Sequence, residues 1–254
     1  TYYYSKSIKN GDPLHGCAFN GAMLTCVHVR GAVIFAHVPK SCAYISYQTI
    51  SSSGRRRLFE KGTLLPVSLS PDIVCTDMGE TEIVFGGMER LQEKIEQLKE
   101  KKPEAIVTIS ACPAGITGDD ISKMEALSDE NTQIISLKTD GNMAGDYLQG
   151  MLMAYTTMAR AFVRRDVEPD YGYVNIIAEK IVLTNTEENF RTIETYLKSM
   201  GLKVNCRFLY DTNTQELRNL KRGGINLPAY DDYASEILGN FLEDEFGMKM
   251  FEKP

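Results

Sequence analysis

Short apolar runs alternate with amphipathic stretches along much of the chain. Residues 105–110 and 133–138 are such runs, and their Ile and Val content is typical of buried parallel strands. Residues 82–87 (Glu-Ile-Val-Phe-Gly-Gly) form another apolar run and predict a further strand. The segment that follows it has one apolar helix face, with positions three and four residues apart: Met88, Leu91, Ile95 and Leu98. Residues 82–110 therefore predict a β-α-β unit with parallel strands.

The same alternation continues towards the end of the chain. A long, methionine-rich helix is predicted over residues 143–165, and another helix over residues 190–200. Three short strands and a last helix complete the pattern, at residues 174–178, 203–209, 225–227 and 231–246. The pattern predicts an α/β fold of Rossmann-like parallel-sheet domains, in which ligands bind at the carboxyl ends of the strands.

A change in composition marks the predicted domain junction. Residues 164–173 hold charges of both signs together with Pro169 and Gly172, unlike the periodic segments on either side. A chain of 254 residues is long enough for two α/β domains. We therefore expect a larger first domain over residues 1–168 and a smaller second domain over residues 169–254.

Composition and charge argue against several classes of protein. Hydrophobic residues make up 43% of the chain and charged residues 24%, as in ordinary globular proteins. The net charge is -6 with no basic half or tail, which argues against nucleic acid and anionic membranes as partners. The most apolar stretch, residues 32–39, is too short to span a bilayer. Because the chain does not open with a signal-like segment, the expected location is a reducing cytoplasm.

Three of the six cysteines have neighbours that suit a ligand role. Cys17, Cys42 and Cys112 are flanked by Gly or Pro, and the last two follow apolar strands, so we expect those two at the carboxyl edge of a sheet. Thiolates ligate iron–sulfur clusters, but cysteine is also a common buried residue without a chemical role. No cysteine pair has the CxxC spacing of zinc ribbons and thioredoxins. The other three cysteines predict buried thiols: Cys26, Cys75 and Cys206.

Several blocks along the chain are similar to one known family. They occur in the family's order and span nearly the whole chain: Cys17-Ala-Phe-Asn-Gly-Ala22, His37-Val-Pro-Lys-Ser-Cys42, Thr76-Asp-Met-Gly-Glu-Thr-Glu-Ile-Val-Phe-Gly-Gly87, Cys112-Pro-Ala-Gly-Ile-Thr-Gly-Asp-Asp120, Met200-Gly-Leu-Lys-Val and Glu245-Phe-Gly-Met-Lys-Met-Phe-Glu252. The chain thereby resembles the nitrogenase component 1 family. The first block is most similar to the molybdenum-iron protein α-type subunits and to the subunits that act as cofactor scaffolds.

The resemblance implies a cluster, two partners and an oligomer. In the family, three cysteines that match Cys17, Cys42 and Cys112 hold an iron–sulfur cluster at the interface with a sister subunit. The cluster would be a 4Fe-4S cluster or a larger cluster shared with the sister subunit, in a homo- or hetero-oligomer. An ATP-hydrolysing iron–sulfur reductase would deliver the electrons. The chain has no GxxxxGK[ST] loop, so ATP hydrolysis would belong to that reductase.

The chain also departs from the family pattern. Methionine stands near the cofactor histidine position, within residues 146–153, and residues 226–232 lack the expected cofactor cysteine. Reduction of dinitrogen is therefore not expected. The resemblance further implies a third α/β domain, and we expect this chain to be either a fragment or a shortened protein that lacks it. Two functions stay open: an oxidoreductase subunit, and a non-catalytic scaffold for metallocluster or tetrapyrrole cofactor maturation. A family member that binds neither cluster nor cofactor is a third possibility.

His37 and the adjacent carboxylates Asp119 and Asp120 are further candidates. For His37, a packed or solvated role is favoured over a hydrogen bond near the cluster. For the two aspartates, capping of the following helix is favoured over metal binding. Residues 55–57, three consecutive arginines, predict a basic surface loop. No Ser-His-Asp order or paired carboxylate pattern is present, so no catalytic residue is assigned.

Overall fold

Strands and helices alternate throughout the fold. The computed structural model describes residues 16–60, 73–140, 145–180, 183 and 185–251. The helices are α1 (Ala18–Cys26), α2 (Lys40–Glu60), α3 (Glu80–Phe85), α4 (Met88–Lys99), α5 (Cys112–Thr117), α6 (Tyr147–Phe162), α7 (Thr186–Ser199), α8 (Thr214–Arg218) and α9 (Tyr233–Phe246). The strands are β1 (Val29–Arg30), β2 (Ala32–His37), β3 (Val74–Cys75), β4 (Ala105–Ser110), β5 (Gln133–Lys138), β6 (Asp170–Ile177), β7 (Lys203–Arg207), β8 (Thr212–Asn213) and β9 (Gly223–Pro228). Short 3₁₀ helices cover Ile121–Leu127 and Leu220–Arg222.

The described residues divide into two compact units. The cysteine unit, named for Cys17, Cys42 and Cys112, contains residues 16–27 and Gly31–Thr157. The second unit contains His28–Arg30 and the described residues from Met158 onwards. The division along the main chain thus falls within α6. The predicted extents of the two domains, 1–168 and 169–254, stay a prediction.

A parallel sheet forms the centre of the cysteine unit. Its strand order is β3-β2-β4-β5. Strands β2 and β4 pair in register from Ala32 opposite Ala105 to His37 opposite Ser110. Their carboxyl ends therefore lie side by side, and the segments that follow them start at the same edge of the sheet.

Helix α4 packs against this sheet in the way that its periodic sequence predicts. Leu91 and Ile95 are fully buried, and they join Phe35, Ile106 and Ile134 in one hydrophobic cluster. Truncating a side chain in such a core costs about 2–5 kcal/mol. Strands β4 and β5 have the bounds that the sequence predicts, and β4 is buried along its whole length.

The predicted strand at residues 82–87 is wrong, because these residues are mostly helical. Helix α3 begins after Gly79, whose backbone N–H donates a hydrogen bond to Oε2 of Glu82 at 2.8 Å, as in a capping box. It ends at Gly86, which has a φ of 93°. No residue of α3 is buried, so the apolar run does not have the buried environment that a central strand needs.

Helices α2 and α6 also differ from the prediction. Residues 55–57 lie in α2, which corrects the predicted basic loop. Ser and Gly, which precede these arginines, have low helix propensity, so the local sequence favours a loop. Of the predicted helix over residues 143–165, α6 covers the central part, and residues 143–144 lie outside the described residues.

The second unit has its own parallel sheet, with strand order β7-β6-β9, and β1 pairs separately with β8. The three strands of the sheet overlap the three strands that the sequence predicts there, but β6 begins at Asp170, inside the predicted junction of residues 164–173. Gly201, with a φ of 77°, follows α7 as a C-terminal glycine is expected to do. Helix α9 begins after Asp232, whose carboxylate accepts a hydrogen bond from Ser235 N–H at 3.0 Å. The predicted α/β class with parallel sheets is confirmed.

Candidate functional site

Each of the three predicted ligand cysteines lies at the start of a helix. Cys17 is the N-cap of α1, Cys42 lies in the first turn of α2, and Cys112 is the first residue of α5. All three thiols are free. Unpaired backbone N–H groups and the positive end of the helix dipole favour negative charge at such positions. The fold therefore places each cysteine beside a helix N-terminus.

The structure brings Cys42 close to the other two thiols. Burial raises the pKa of Cys42, the Cys17 thiolate raises it further, and the Cys112 thiolate has a smaller effect in the same direction, whereas a hydrogen bond with Ser41 lowers it. Electrostatic effects of this kind fall off with distance. Cys42 and Cys112 are half-buried, and Cys17 is exposed. Cys42 thus lies within electrostatic range of both other thiols, and the three residues are together called the cysteine site below.

Sheet register accounts for the placement of Cys42 and Cys112. His37, the last residue of β2, lies opposite Ser110, the last residue of β4, and both cysteines follow shortly after these strand ends. The segment after β2 is tied to the segment after β3, since Val38 N–H donates to Oγ1 of Thr76 at 3.1 Å. The two cysteines therefore lie at the carboxyl edge of the sheet, as the sequence predicts.

Cys17 reaches this edge by a different route. It forms an isolated antiparallel bridge with Asp146, just before α6. Two backbone hydrogen bonds hold the start of α1 there, one from Tyr147 N–H to Gly16 O at 2.9 Å and one from Ala18 N–H to Gly145 O at 3.2 Å. The partner segment lies about 130 residues away in the sequence, so no local pattern predicts this contact.

A buried hydrogen bond joins the helices that carry Cys17 and Cys42. The hydroxyl of Ser46 in α2 donates to Oδ1 of Asn20 in α1 at 2.9 Å. Asn20 and Ser46 are both buried, so loss of either group would leave a buried polar atom without its partner. This contact fixes the N-terminal parts of the two cysteine-bearing helices relative to each other.

Asp119 connects two further segments at the same edge. Its Oδ2 lies 2.9 Å from Nε2 of His37 and accepts a hydrogen bond from Gly87 N–H at 2.8 Å. The predicted helix cap is Asp120 alone, which accepts from Ser122 N–H at the start of the 3₁₀ helix. Hydrogen bonds from Lys138 and Ser122 lower the pKa of Asp120 to about 2. For Asp119, the capping prediction is therefore wrong, because its carboxylate is already engaged by His37 and Gly87.

Exposed apolar side chains surround the cysteine site. In α3, Phe85 is 84% exposed and Val84 is 67% exposed, and the neighbouring α5 exposes Ile116. Tyr44 and Ile45, which follow Cys42 in α2, are also exposed. Sequence reasoning missed the α3 surface because it assigned those residues to a buried strand. The acidic residues Glu80 and Glu82, which favour the first turn of a helix, were the local clue to a helix instead.

Comparison with known proteins places the chain in a family. The family model for nitrogenase component 1 type oxidoreductases matches residues 17–254. The chain belongs to the nitrogenase component 1 type oxidoreductase family. This confirms the resemblance that the sequence blocks indicate.

Similar members of the family include nitrogenase alpha chains and cofactor biosynthesis proteins. The nitrogenase molybdenum-iron protein alpha chain of Azospirillum brasilense is 24% identical over 254 residues, which cover 97% of this chain and 51% of the relative. The iron-molybdenum cofactor biosynthesis protein NifE of Nostoc sp. is 25% identical over 259 residues, which cover 98% of this chain and 50% of that protein. The chain thus spans about half the length of these curated relatives.

A solved structure described as nitrogenase Cp1 at pH 5 has the same fold. It matches with a TM-score of 0.74 and 23% sequence identity, over 97% of this chain and 49% of the solved chain. The component 1 type of parallel-sheet fold is therefore confirmed for this chain. Across the described residues, no helix combines the length and apolar character needed to cross a membrane.

The other three cysteines of this family member differ in burial. Cys26 and Cys206 are buried, as the sequence predicts, and burial raises the pKa of each thiol to about 12. Cys75 is half-buried at the end of β3, so the prediction of a buried thiol is wrong there. In the part of the chain that the structure describes, no group of three or more His, Cys, Asp or Glu side chains forms a site for a single metal ion.

Charged and aromatic residues occupy the segment where the component 1 family pattern led us to expect a cysteine. In the second unit, Nζ of Lys180 lies 4.8 Å from the ring centroid of Tyr230 and 2.9 Å from Oδ2 of Asp232. Tyr230 and Asp232 belong to residues 226–232. This cluster offers ammonium, phenol and carboxylate groups rather than a soft thiolate.

Proposed function

We propose that this chain is the cluster-bearing part of a nitrogenase-like component 1 oxidoreductase subunit. Cys17, Cys42 and Cys112 would hold an iron–sulfur cluster at an interface with a sister subunit. An ATP-hydrolysing iron–sulfur reductase would supply electrons to it. The observation that carries the proposal is the grouping of three free thiols, each at a helix N-terminus, at one edge of the sheet.

The chemistry of this donor set fits an iron–sulfur cluster. Clusters are held by cysteine thiolates that bind different iron atoms, so the ligand sulfurs need not surround a single point. Burial, and to a smaller degree repulsion from the other two thiolates, raises the pKa of Cys42, and a cationic iron centre would relieve that repulsion. When bound, the cluster would supply one-electron redox chemistry.

The chain itself would orient and shield the cluster. The helix N-termini would direct backbone N–H groups towards the thiolates, and hydrogen bonds to ligand sulfur are a main control of reduction potential. Three cysteines leave a 4Fe-4S cluster one ligand short. A sister subunit would supply that ligand, or several ligands to a larger shared cluster, so we propose a homo- or hetero-oligomer.

The exposed apolar residues beside the cysteine site would bind the protein partners. We assign Val84, Phe85 and Ile116 to the reductase surface, because α5 carries both Ile116 and Cys112. A reductase seated there would come close to a cluster ligand. Exposed apolar groups that lie together are typical of interaction surfaces. We assign ATP hydrolysis to the reductase and propose a cytoplasmic location for the complex.

We further propose that the protein does not reduce dinitrogen on the usual cofactor. Residues 146–153 provide Met151 and Met153 near the position expected for a cofactor histidine. The segment expected to hold a cofactor cysteine instead provides the Lys180, Tyr230 and Asp232 cluster. Neither segment offers the donor that the family pattern implies. The catalytic residues and the substrate stay unassigned.

A scaffold function is the second candidate. The NifE relative, a cofactor biosynthesis protein, matches 98% of this chain at an identity similar to that of the alpha chain. Together with the absence of the two expected cofactor ligands from the sequence, this match favours a protein that holds a metallocluster or a tetrapyrrole precursor without turnover.

Anaerobic reconstitution tests the cluster proposal. The purified chain is treated with ferrous iron and sulfide, and bound iron, sulfide and the electron paramagnetic resonance spectrum are measured. We expect Cys42→Ala to lose most of the bound iron and Cys75→Ala, a matched half-buried thiol of the same unit, to retain it. Equal iron content in the two variants, or no iron in the unmodified chain, would reject the cluster.

A second measurement separates enzyme from scaffold. The reconstituted chain is mixed with a cognate reductase and MgATP, and the cluster spectrum is followed with time. Reductase- and ATP-dependent reduction of the cluster, followed by reoxidation with substrate, supports the oxidoreductase subunit. Transfer of the metal group to an acceptor protein without any such redox change supports the scaffold.

A further inference from the structure

The Asp119 carboxylate is the point at which three segments near the cysteine site meet. Its side chain is 5% exposed, and that of His37 is fully buried. Its contacts reach His37 at the end of β2 and Gly87 between α3 and α4. Asp119 itself directly follows Gly118, the C-cap of α5. A nearly buried carboxylate needs such partners, because an unpaired buried charge is strongly unfavourable.

Two glycines pack closely against this carboxylate and against its histidine partner. A Cβ atom at Gly86 would lie 2.7 Å from Oδ1 of Asp119, and Gly86 has a φ of 93° that disfavours other residues. A Cβ atom at Gly87 would lie 2.9 Å from Cε1 of His37. The junction of α3 and α4 is therefore pressed against both Asp119 and His37.

The chemistry of the two side chains determines which atom is the donor in the hydrogen bond between His37 and Asp119. An ionised carboxylate only accepts, so Nε2 of His37 carries the proton and donates it to Asp119. Nδ1 of His37 is then a buried lone pair, and it has no hydrogen-bond partner among the described residues. Asp119 is thus the contact that determines the orientation of the imidazole ring.

We propose that Asp119 is a positioning residue for the cysteine site. The inference rests on the proposed function, in which Cys42 and Cys112 would bind the same cluster. His37 precedes Cys42 by five residues, and Asp119 follows Cys112 by seven residues, at the far end of α5. One carboxylate therefore holds the segment before Cys42 against the segment after Cys112 and sets the relative placement of the two thiols. It also connects both of them to α3, which carries the exposed Phe85.

Thiol alkylation in the metal-free full chain tests this inference. The rate constant of each cysteine with iodoacetamide is measured at one pH by mass spectrometry of the digested protein. We expect Asp119→Asn to change the rate constants of Cys42 and Cys112 by about fivefold, because a neutral amide oxygen accepts hydrogen bonds from His37 and Gly87 more weakly than the carboxylate does. The buried Cys26 reports general loosening of the same unit, and its rate constant should stay unchanged.

Matched variants separate positioning from overall stability. Asp120→Asn alters the adjacent carboxylate, which binds Ser122 and Lys138 instead, and should leave both rate constants unchanged. His37→Gln places an amide nitrogen near the position of Nε2 and should retain the wild-type rate constants. His37→Asn is too short to reach Asp119 and should reproduce the effect of Asp119→Asn. If Asp119→Asn does not fold, the comparison of His37→Gln with His37→Asn tests the proposal.

Two results would overturn the proposal. One is unchanged rate constants of Cys42 and Cys112 in Asp119→Asn and His37→Asn. The other is a parallel rise for Cys26, which would show general loosening. Because no metal is present, the result does not depend on whether the chain binds a cluster. Failure of iron reconstitution would reject the proposed function and leave the positioning effect measurable.

Discussion

Gly21 of α1 and Gly150 of α6 mark the place where two helix backbones touch. A Cβ atom at Gly21 would lie 2.0 Å from the carbonyl oxygen of Tyr147, and one at Gly150 would lie 1.8 Å from that of Ala18. Real Cβ atoms do not approach backbone oxygen so closely, so only glycine fits at either position. This close approach holds Cys17, the N-cap of α1, beside the start of α6.

Replacing one of these glycines should strongly destabilise the chain. We expect Gly150→Ala to lower the free energy of unfolding by about 3 kcal/mol or more, because the added methyl group forces the two backbones apart. Gly172→Ala is the control, since its Cβ atom would meet only the flexible carboxylate of Asp170, at 3.2 Å. Urea denaturation measures both. Similar unfolding free energies for the two variants would contradict the close backbone contact.

The α3 surface should matter for the reductase and not for folding. Because Phe85 is 84% exposed, Phe85→Ser should change the free energy of unfolding by less than about 0.5 kcal/mol. We expect it to raise the reductase concentration that gives half-maximal cluster reduction by about tenfold, since aromatic residues are frequent energetic centres of interfaces. Tyr196→Ser, an exposed aromatic position of the second unit, is the control. An equal effect in both variants would reject the assigned surface.

The buried His37 should make stability depend on pH. Burial lowers the pKa of His37 below its ordinary value of 6.5, although Asp119 opposes this shift. The unfolded chain therefore binds the proton more readily, so this contribution to stability is complete above pH 6.5 and is lost as the pH falls through the folded-state pKa. We expect His37→Gln to lose less stability than the wild type between pH 7.5 and 5.5, an interval of about two units around that value. Parallel stability curves for the two proteins would contradict the prediction.

A buried ion pair stabilises the carboxyl edge of the second sheet. Arg207 donates two hydrogen bonds to Glu179, at 2.8 and 2.7 Å, and one to Glu187 at 3.0 Å. Its guanidinium carbon also lies 3.8 Å from the ring centroid of Phe190 and 4.3 Å from that of Tyr210. The charge is thus enclosed by aromatic rings and depends on its carboxylate partners.

Neutralising one partner should be costly at this buried site. We expect Glu179→Gln to lower the free energy of unfolding by about 3 kcal/mol, because it leaves the Arg207 charge poorly compensated. Glu194→Gln removes an exposed pair with Lys198 in α7 and should cost less than about 0.5 kcal/mol. Guanidinium chloride would screen these charges, so urea denaturation is the suitable measurement. A loss as small in Glu179→Gln as in the control would refute the buried role.

Local sequence was sufficient where one physical preference dominated. Strands β4 and β5 follow from their Ile and Val runs, and α4 follows from its apolar period, since each pattern fits only one way of burying apolar surface. The apolar run at residues 82–87 was compatible with two structures, a buried strand or an exposed helix. The capping contact of Gly79 with Glu82 and the lack of burial decided for the helix.

The sequence by itself determined the family, the α/β class and three cysteines with suitable neighbours, because motifs and periodicity are local properties of the chain. Only the tertiary structure decided how these parts meet. Parallel pairing of β2 with β4 aligned the ends that lead to Cys42 and Cys112, and the contact of Gly21 with α6 held Cys17 near them. The tertiary structure also showed that Asp119, a predicted helix cap, instead forms hydrogen bonds with His37 and Gly87. Such contacts join residues far apart in sequence, and their energy comes from burial and packing that no short segment contains.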